Sequence, residues 1–269
     1  MSTPNTPANS FDRAVSYYDE TRGFPPGVES QAAALINQVA GLTSASRVFE
    51  IGIGTGRIAL PLLPFAPHMF GLDISRGMMD VLRGKPGGKA IHLVEGAASA
   101  LPFPSRTFDA CIASHIFHLV EDAAAALDET RRILKTGAPL VSCMSKNGKD
   151  KMNFAREAYT GAASDQDATQ ANKPTLNRAS ERGGDILATH GWQPMGEEAS
   201  IAYKTTTTPR KFMEQFERRV YSSQWGYTDE GHARGMAALR AALAEKFPNR
   251  DEVVESDAGF AVQLYLPRA

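Results

Sequence analysis

Short apolar runs recur along the first half of the chain at 47–52, 68–73, 90–95, 108–114 and 139–145, separated by amphipathic stretches at 56–63, 75–83 and 121–134. Runs this brief and this apolar suit strands buried on both faces, and the stretches between them have helical period. Strand and helix alternating in this way predict a doubly wound α/β sheet. Ahead of this region, 11–20 reads as a short helix, Gly23-Phe24-Pro25-Pro26-Gly27 as a loop and 28–41 as a helix stopped by glycine.

The second half breaks the rhythm. Residues 146–174 are polar and alanine-rich, 176–189 read as a helix ending before Gly191-Trp192, and 200–208 as a strand. Over 209–220, Phe212, Phe216 and Val220 share one face, with Thr208 placed to cap and Pro209 in the first turn. A further helix is expected over 229–247, with Met236, Leu239, Leu243 and Phe247 on one stripe. Phe260, Val262, Leu264 and Leu266 then alternate with Ala261, Gln263 and Tyr265 at strand period. An α/β core thus carries a helical insertion between its last two strands, without internal repeats.

Composition narrows the function. With 269 residues, 42% of them hydrophobic, the chain can bury a full core. A net charge of -1 gives no general attraction to nucleic acid or an anionic membrane, which moves small molecules forward. The longest apolar region, 58–72, is cut by Pro61, Pro64 and Pro67 and contains His68, so no membrane span is expected. The opening MSTPNTPANS lacks a charged-then-apolar leader pattern and reads as a flexible tail. Cys111 and Cys143, each inside an apolar run, read as buried thiols of a reducing compartment, and a cytoplasmic protein is expected.

Chemistry concentrates at Glu50-Ile51-Gly52-Ile53-Gly54-Thr55-Gly56, where a strand runs into closely spaced glycines. Glycines there let backbone approach a ligand, usually a nucleotide. The pattern alone also satisfies the dinucleotide signature, so an NAD(P)-dependent reductase is a rival. Two acids weigh against it. Glu50 stands where a dinucleotide fold normally has an apolar residue, and a carboxylate there accepts from an ammonium or its water. Asp73 ends the next strand, placed either to hold both hydroxyls of a ribose or to cap the helix that follows.

EIGIGTGRIALPL, GLDIS, EGAASALPFPSRTFDACIASHIFHLVED and RRILKTGAPLVSC resemble, in order and spacing, the motifs of class I S-adenosylmethionine-dependent methyltransferases, above all the ubiquinone and menaquinone biosynthesis branch. The resemblance implies a Rossmann-like, doubly wound, seven-stranded, mostly parallel sheet, its last strand antiparallel, with helical cap insertions. It implies a tail and lid over 1–30, a cofactor-binding core over 31–208 with 146–174 as cap or lid, a helical insertion over 209–250 and a final strand over 251–269. S-adenosylmethionine is the implied cofactor. Glu50 would bind near its ammonium, Gly52, Gly54 and Gly56 along the methionyl-ribose segment, and Asp73 at the ribose. Ile74 and Met78 would pack on adenine, Ala98 would offer its N–H to the ring edge, and Ser114 its carbonyl to the ammonium. One departure stands out: the family has Asp where this chain has Ala97, so either a hydrogen bond to the adenine amine is missing and the cofactor is held more weakly, or Glu95 or Ser99 substitutes.

Methyl transfer from a sulfonium is an in-line displacement that needs alignment and exclusion of water. His115 and His118 follow the fourth strand, where they read either as a general base or as packing around the cofactor. Their spacing lacks a complete ligand set, so no metal is expected. Tyr17, Tyr18 and Arg22 lie in a segment, SYYDETRGFPP, similar to the lid that closes over the cofactor in this branch. Either tyrosine touches cofactor or acceptor, or the pair anchors the lid, and Tyr18 joins the catalytic candidates. Tyr221, Trp225 and Tyr227, with Phe212 and Phe216, read as an acceptor pocket or as plain core. The expected reaction is direct methylation of an O, N or C atom of a small molecule. A nucleic-acid methyltransferase is disfavoured by Ser114-His115-Ile116-Phe117 after the fourth strand, and an inactive binding subunit by the intact acids and glycines.

Overall fold

Val48, Phe49 and Ile51 are fully buried in the strand Arg47–Ile51 (β1), which pairs in parallel with His68–Asp73 (β2) on one side and Ala110–Ser114 (β4) on the other. His92–Glu95 (β3) extends the sheet beyond β2, and Leu140–Asn147 (β5) beyond β4, both in parallel. The computed structural model describes residues 11–148, 150–164 and 183–268. With Trp192–Thr207 (β6) and Val254–Pro267 (β7) the sheet has the order β3-β2-β1-β4-β5-β7-β6, with β7 antiparallel to the others, a Rossmann-like α/β arrangement. The order reverses between β1 and β4. Ligands of such sheets bind at that switch point, outside the carboxyl ends of the strands. Register brings those ends level, because Ile51 lies opposite both Leu72 and Ala113.

The helices are Tyr18–Arg22 (α1), Val28–Ala40 (α2), Ala59–Leu62 (α3), Arg76–Gly84 (α4), Ala123–Ile133 (α5), Asn153–Ala163 (α6), Gly183–Thr189 (α7), Pro209–Glu217 (α8) and Asp229–Lys246 (α9). The chain divides into two compact units. One comprises the chain to Ser145 with Ala179–Ile201 and Phe260–Ala269, the other Lys146–Arg178 with Ala202–Gly259. In the first, Phe49 stacks on Phe108 at 5.2 Å within a cluster that includes Leu72, Leu127, Leu140 and Trp192. In the second, the expected stripes of α8 (Phe212, Phe216) and α9 (Met236, Leu239, Leu243, Phe247) are buried together with Tyr159 of α6, a helix that the polar, alanine-rich stretch 146–174 did not announce. Cys111 and Cys143 are buried free thiols.

Several boundaries differ from the sequence pattern for identifiable reasons. The helix expected over 56–63 is only Ala59–Leu62, because Gly56 holds φ +80° and Pro64 removes a donor. The first helix splits into a 3-10 turn, Phe11–Ala14, and α1. Phe108 lies outside β4 and bridges only to Leu134. Both final strands run longer than their apolar cores, since most of β6 is exposed and an exposed edge tolerates Pro194, Gly196 and charge. Residues 1–10 and 165–182, which include the tail, much of the suggested lid and the start of the helix expected over 176–189, lie outside the described residues. Thr208 caps α8 as expected, its hydroxyl accepting from Lys211 N–H at 3.1 Å. Thr208→Ala should lower stability by about 1 kcal/mol, read from the urea midpoint.

Candidate functional site

All the residues below belong to the first unit unless noted otherwise. After β1 the chain turns through Gly52, Gly54 and Gly56 at φ +70°, +53° and +80°, values that only glycine adopts without strain. Gly52 and Ile53 N–H both donate to Leu72 O, at 2.8 and 3.0 Å, which fastens the loop to β2. Gly54 N–H donates to Asp73 Oδ2 and Ser75 N–H to Asp73 Oδ1, both at 2.8 Å. Ser75 Oγ, accepting from Met78 N–H, is the cap of α4. Asp73 therefore organises the loop and is not the helix cap. Burial, partly offset by these N–H donors, raises its carboxyl above the ordinary value. A Cβ on Gly54 would meet only that carboxylate, at 4.0 Å, so the space over the loop is open. Ile74, 55% exposed, stands beside it as one of the few large apolar side chains in solvent.

Glu50 is 2% exposed. Ala59 N–H donates to its carboxylate, but Oε2 has no hydrogen-bond partner among the described residues. Burial first, and then the nearby Asp73 charge, push its carboxyl well above the ordinary value. A buried carboxylate oxygen without a donor is costly and is the natural complement of an ammonium group. The open space over Gly54, exposed Ile74 and orphaned Glu50 oxygen together fit a nucleoside that carries an amino group.

At the end of β4, Ser114 leads into His115, which holds φ +50°, a strained value for a side chain other than glycine. Ser145 N–H donates to His115 Nε2 at 2.7 Å, and Arg57 Nη2 donates to Ser145 Oγ at 3.0 Å. The Arg57 guanidinium lies 4.0 Å from the centroid of the Phe24 ring. Burial, then the Arg57, His118 and Arg22 charges, lower His115 to about 4. His115 and His118 share a small hollow with Ala113, Ile116, Phe117, Ser142 and Met144.

The amino-terminal segment is tied across the loop. Thr55 Oγ1 donates to Asp19 Oδ1 at 2.6 Å, Lys85 Nζ pairs with Asp19 Oδ2 at 2.7 Å, and Lys85 Nζ also donates to Thr55 O at 2.7 Å. Ser75 Oγ donates to Asp12 Oδ1. Burial raises the Tyr18 phenol, and the Arg57 and Arg22 charges oppose that rise. Asp19, Thr55, Lys85 and Arg57 were not singled out in the sequence. Thr55 and Arg57 sit inside the glycine motif and Asp19 follows Tyr18, so proximity to those motifs was the available signal.

Other expected residues fall as follows. Tyr17, which precedes α1, and Arg22, its last residue, are half-buried, and Ala97 is exposed while Ala98 is buried. Met78 is buried and presents almost no surface to a ligand. The aromatic group belongs to the second unit. Phe212 and Phe216 lie in its core, Tyr221 OH donates to Gln215 Oε1 at 2.7 Å, Trp225 Nε1 donates to Arg219 O at 2.9 Å and Tyr227 packs 5.9 Å from Tyr159. No helix among the described residues is long and apolar enough to cross a membrane.

Fold and site together define a Rossmann-like α/β protein with a glycine loop, a buried acid, Glu50, and a half-buried one, Asp73, at the switch point. Residues 49–142 match the methyltransferase domain family, and this stretch is similar to the class I S-adenosylmethionine-dependent methyltransferases. The chain is 32% identical over 139 residues to a demethylmenaquinone methyltransferase of Renibacterium salmoninarum, covering 51% of this chain and 58% of that protein. It is 28% identical over 128 residues to the uncharacterized methyltransferase YcgJ of Bacillus subtilis, covering 46% and 49%. The chain spans about half the length of these curated relatives. A likeness of fold extends further: a putative type II methyltransferase from Anaeromyxobacter dehalogenans superposes with TM-score 0.59 at 14% identity over 86% of this chain and 94% of that one.

Proposed function

We propose that this protein transfers the methyl group of S-adenosylmethionine to a small-molecule acceptor in the cytoplasm. The observation that carries the reading is the buried Glu50 carboxylate with an orphaned oxygen, its proton affinity raised by burial and by the nearby Asp73 charge. In this reading Glu50 receives the methionine ammonium, together with the Ser114 carbonyl. Asp73 holds the ribose hydroxyls while keeping the Gly54 and Ser75 N–H bonds. Ile74 covers one face of the adenine, and Ala98 N–H meets its edge. Ala97 brings no acceptor for the adenine amine. When bound, the cofactor supplies an electrophilic methyl carbon next to a sulfonium. The chain's own part is to orient the acceptor behind that carbon and to exclude water, for which the segment carrying Tyr17, Tyr18 and Arg22 is placed.

A small acceptor accords with the net charge of -1, which provides no broad attraction to nucleic acid. The test is calorimetric titration with S-adenosylmethionine, S-adenosylhomocysteine and NADPH. Saturable binding of the two sulfur ligands alone is expected, and Asp73→Ala should weaken both about tenfold, the loss of one charge-assisted hydrogen bond. Binding of NADPH alone would overturn the reading in favour of a reductase.

A further inference from the structure

The hollow at the ends of β4 and β5 is lined by none of the residues assigned to the cofactor: Glu50, Gly54, Asp73 and Ile74 are absent from its wall. It is a separate recess with room for about one water-sized group, and its polar groups are two imidazoles and the Ser142 hydroxyl. The protonation of one imidazole is fixed by backbone. A peptide N–H needs a lone pair, so Ser145 N–H bonding at 2.7 Å leaves His115 Nε2 bare and puts the ring proton on Nδ1. Arg57, bonded to the Ser145 hydroxyl and lying over Phe24, steadies the residue that imposes this tautomer. The positive φ of His115 adds to the constraint, because the ring is carried on a backbone that few side chains adopt.

We propose that His115 is a neutral hydrogen-bond donor, through Nδ1–H, to an oxygen of the methyl acceptor, and that it is not the base of the reaction. This rests on the methyltransferase reading and narrows its substrate to compounds with an electron-rich oxygen at or beside the reacting atom, such as phenols and enols. Burial and the positive charges of Arg57, His118 and Arg22 keep the imidazole unprotonated at neutral pH, in accord with the role. During transfer the acceptor's lone pair forms the new bond to the methyl carbon as the carbon–sulfur bond breaks, and that pair remains on sulfur. An acceptor that arrives ionised has already given its proton to solvent. His115 neither gains nor loses one.

The test uses the full chain saturated with S-adenosylhomocysteine and two probes of equal shape, para-chlorophenol and para-chlorotoluene, with the labelled ring nitrogens of His115 followed by NMR. The proton should reside on Nδ1, and the phenol should move its resonance downfield. The phenol should also bind about tenfold more tightly than the toluene, the worth of one hydrogen bond to a partly ionised oxygen. His115→Asn carries an amide nitrogen near the Nδ1 position and tolerates positive φ, so it should recover most of that preference. His115→Gln places its amide near Nε2 and should lose it. A proton found on Nε2, equal binding of the probes, failure of the phenol to bind, or a preference retained by the Gln variant would each overturn the proposal. Where both variants lose it, the resonance shift in the unaltered protein decides. A chain that binds no S-adenosylhomocysteine fails the methyltransferase reading instead, and this is seen before any probe is added.

Discussion

Glu50→Gln is expected to stabilise the cofactor-free protein and, at the same time, to weaken its hold on S-adenosylmethionine. The carboxylate is buried beside Asp73 with one oxygen unpartnered, so its charge opposes folding. An amide of the same shape still accepts from Ala59 N–H and carries no charge. Removing the uncompensated charge should raise stability at neutral pH by about 1–3 kcal/mol, the usual cost of a buried unsatisfied group. The sign of the pH dependence follows from the raised carboxyl. The folded chain keeps this proton at a pH where the unfolded chain has lost it, so the stability is full below the unfolded value and is lost as pH rises through the folded one. Asp73 is shifted in the same direction, so the slope in Glu50→Gln should diminish without vanishing. The methionine ammonium reverses the account, because it supplies the partner that the carboxylate lacks. Affinity for the cofactor should fall by about 1.5–3 kcal/mol. Urea denaturation across a pH series and calorimetry of the same variant read the two effects. A variant both less stable and unchanged in affinity would remove Glu50 from the cofactor site.

Gly56→Ala should be the more damaging of two alanine substitutions in the loop. Its Cβ would lie 2.3 Å from Leu82 Cδ1 and 3.1 Å from Leu60 Cγ, at a φ of +80°. Left-handed strain of about 1–2 kcal/mol joins overpacking of about 1–3 kcal/mol, so a loss of about 2–5 kcal/mol is expected. At Gly54 the added methyl enters open space, and only the strain of about 1–2 kcal/mol remains. That methyl occupies the space over the loop, however, so Gly54→Ala should depress cofactor binding well beyond its effect on folding. Thermal denaturation and calorimetry on both variants separate the cases. Equal losses of stability would mean that Leu82 and Leu60 move aside freely.

The core strands could be read from sequence because each of β1, β2 and β4 is a brief apolar run buried on both faces, a pattern that surface chemistry does not imitate. Glu50, Asp73 and the glycines stood out because they sit at strand ends, where spacing along the chain is spacing in the site. The helix over 56–63 was read too long, since residue type does not show that Gly56 takes a positive φ. Met78 was assigned to the adenine by the family resemblance, and its burial in α4 was not legible in the sequence. Most hidden were the long-range partners. Asp19 meets Thr55 and Lys85 across gaps that no periodicity connects, and the tautomer of His115 depends on a backbone N–H thirty residues away on β5.

The contacts of Asp12 with Ser75, Asp19 with Thr55 and Lys85, and Phe24 with Arg57 also set how ligand exchange is timed. They join the amino-terminal segment to the glycine loop, to the turn after β2 and to the end of α4, around the space proposed for the nucleoside. Release of that segment and exposure of the loop amides are then expected as one cooperative opening, with a shared rate in hydrogen exchange. Dissociation of a bound nucleoside inherits that rate. A chain shortened past Phe24 loses the latch with its residues, and it exchanges ligand as fast as the bare loop allows.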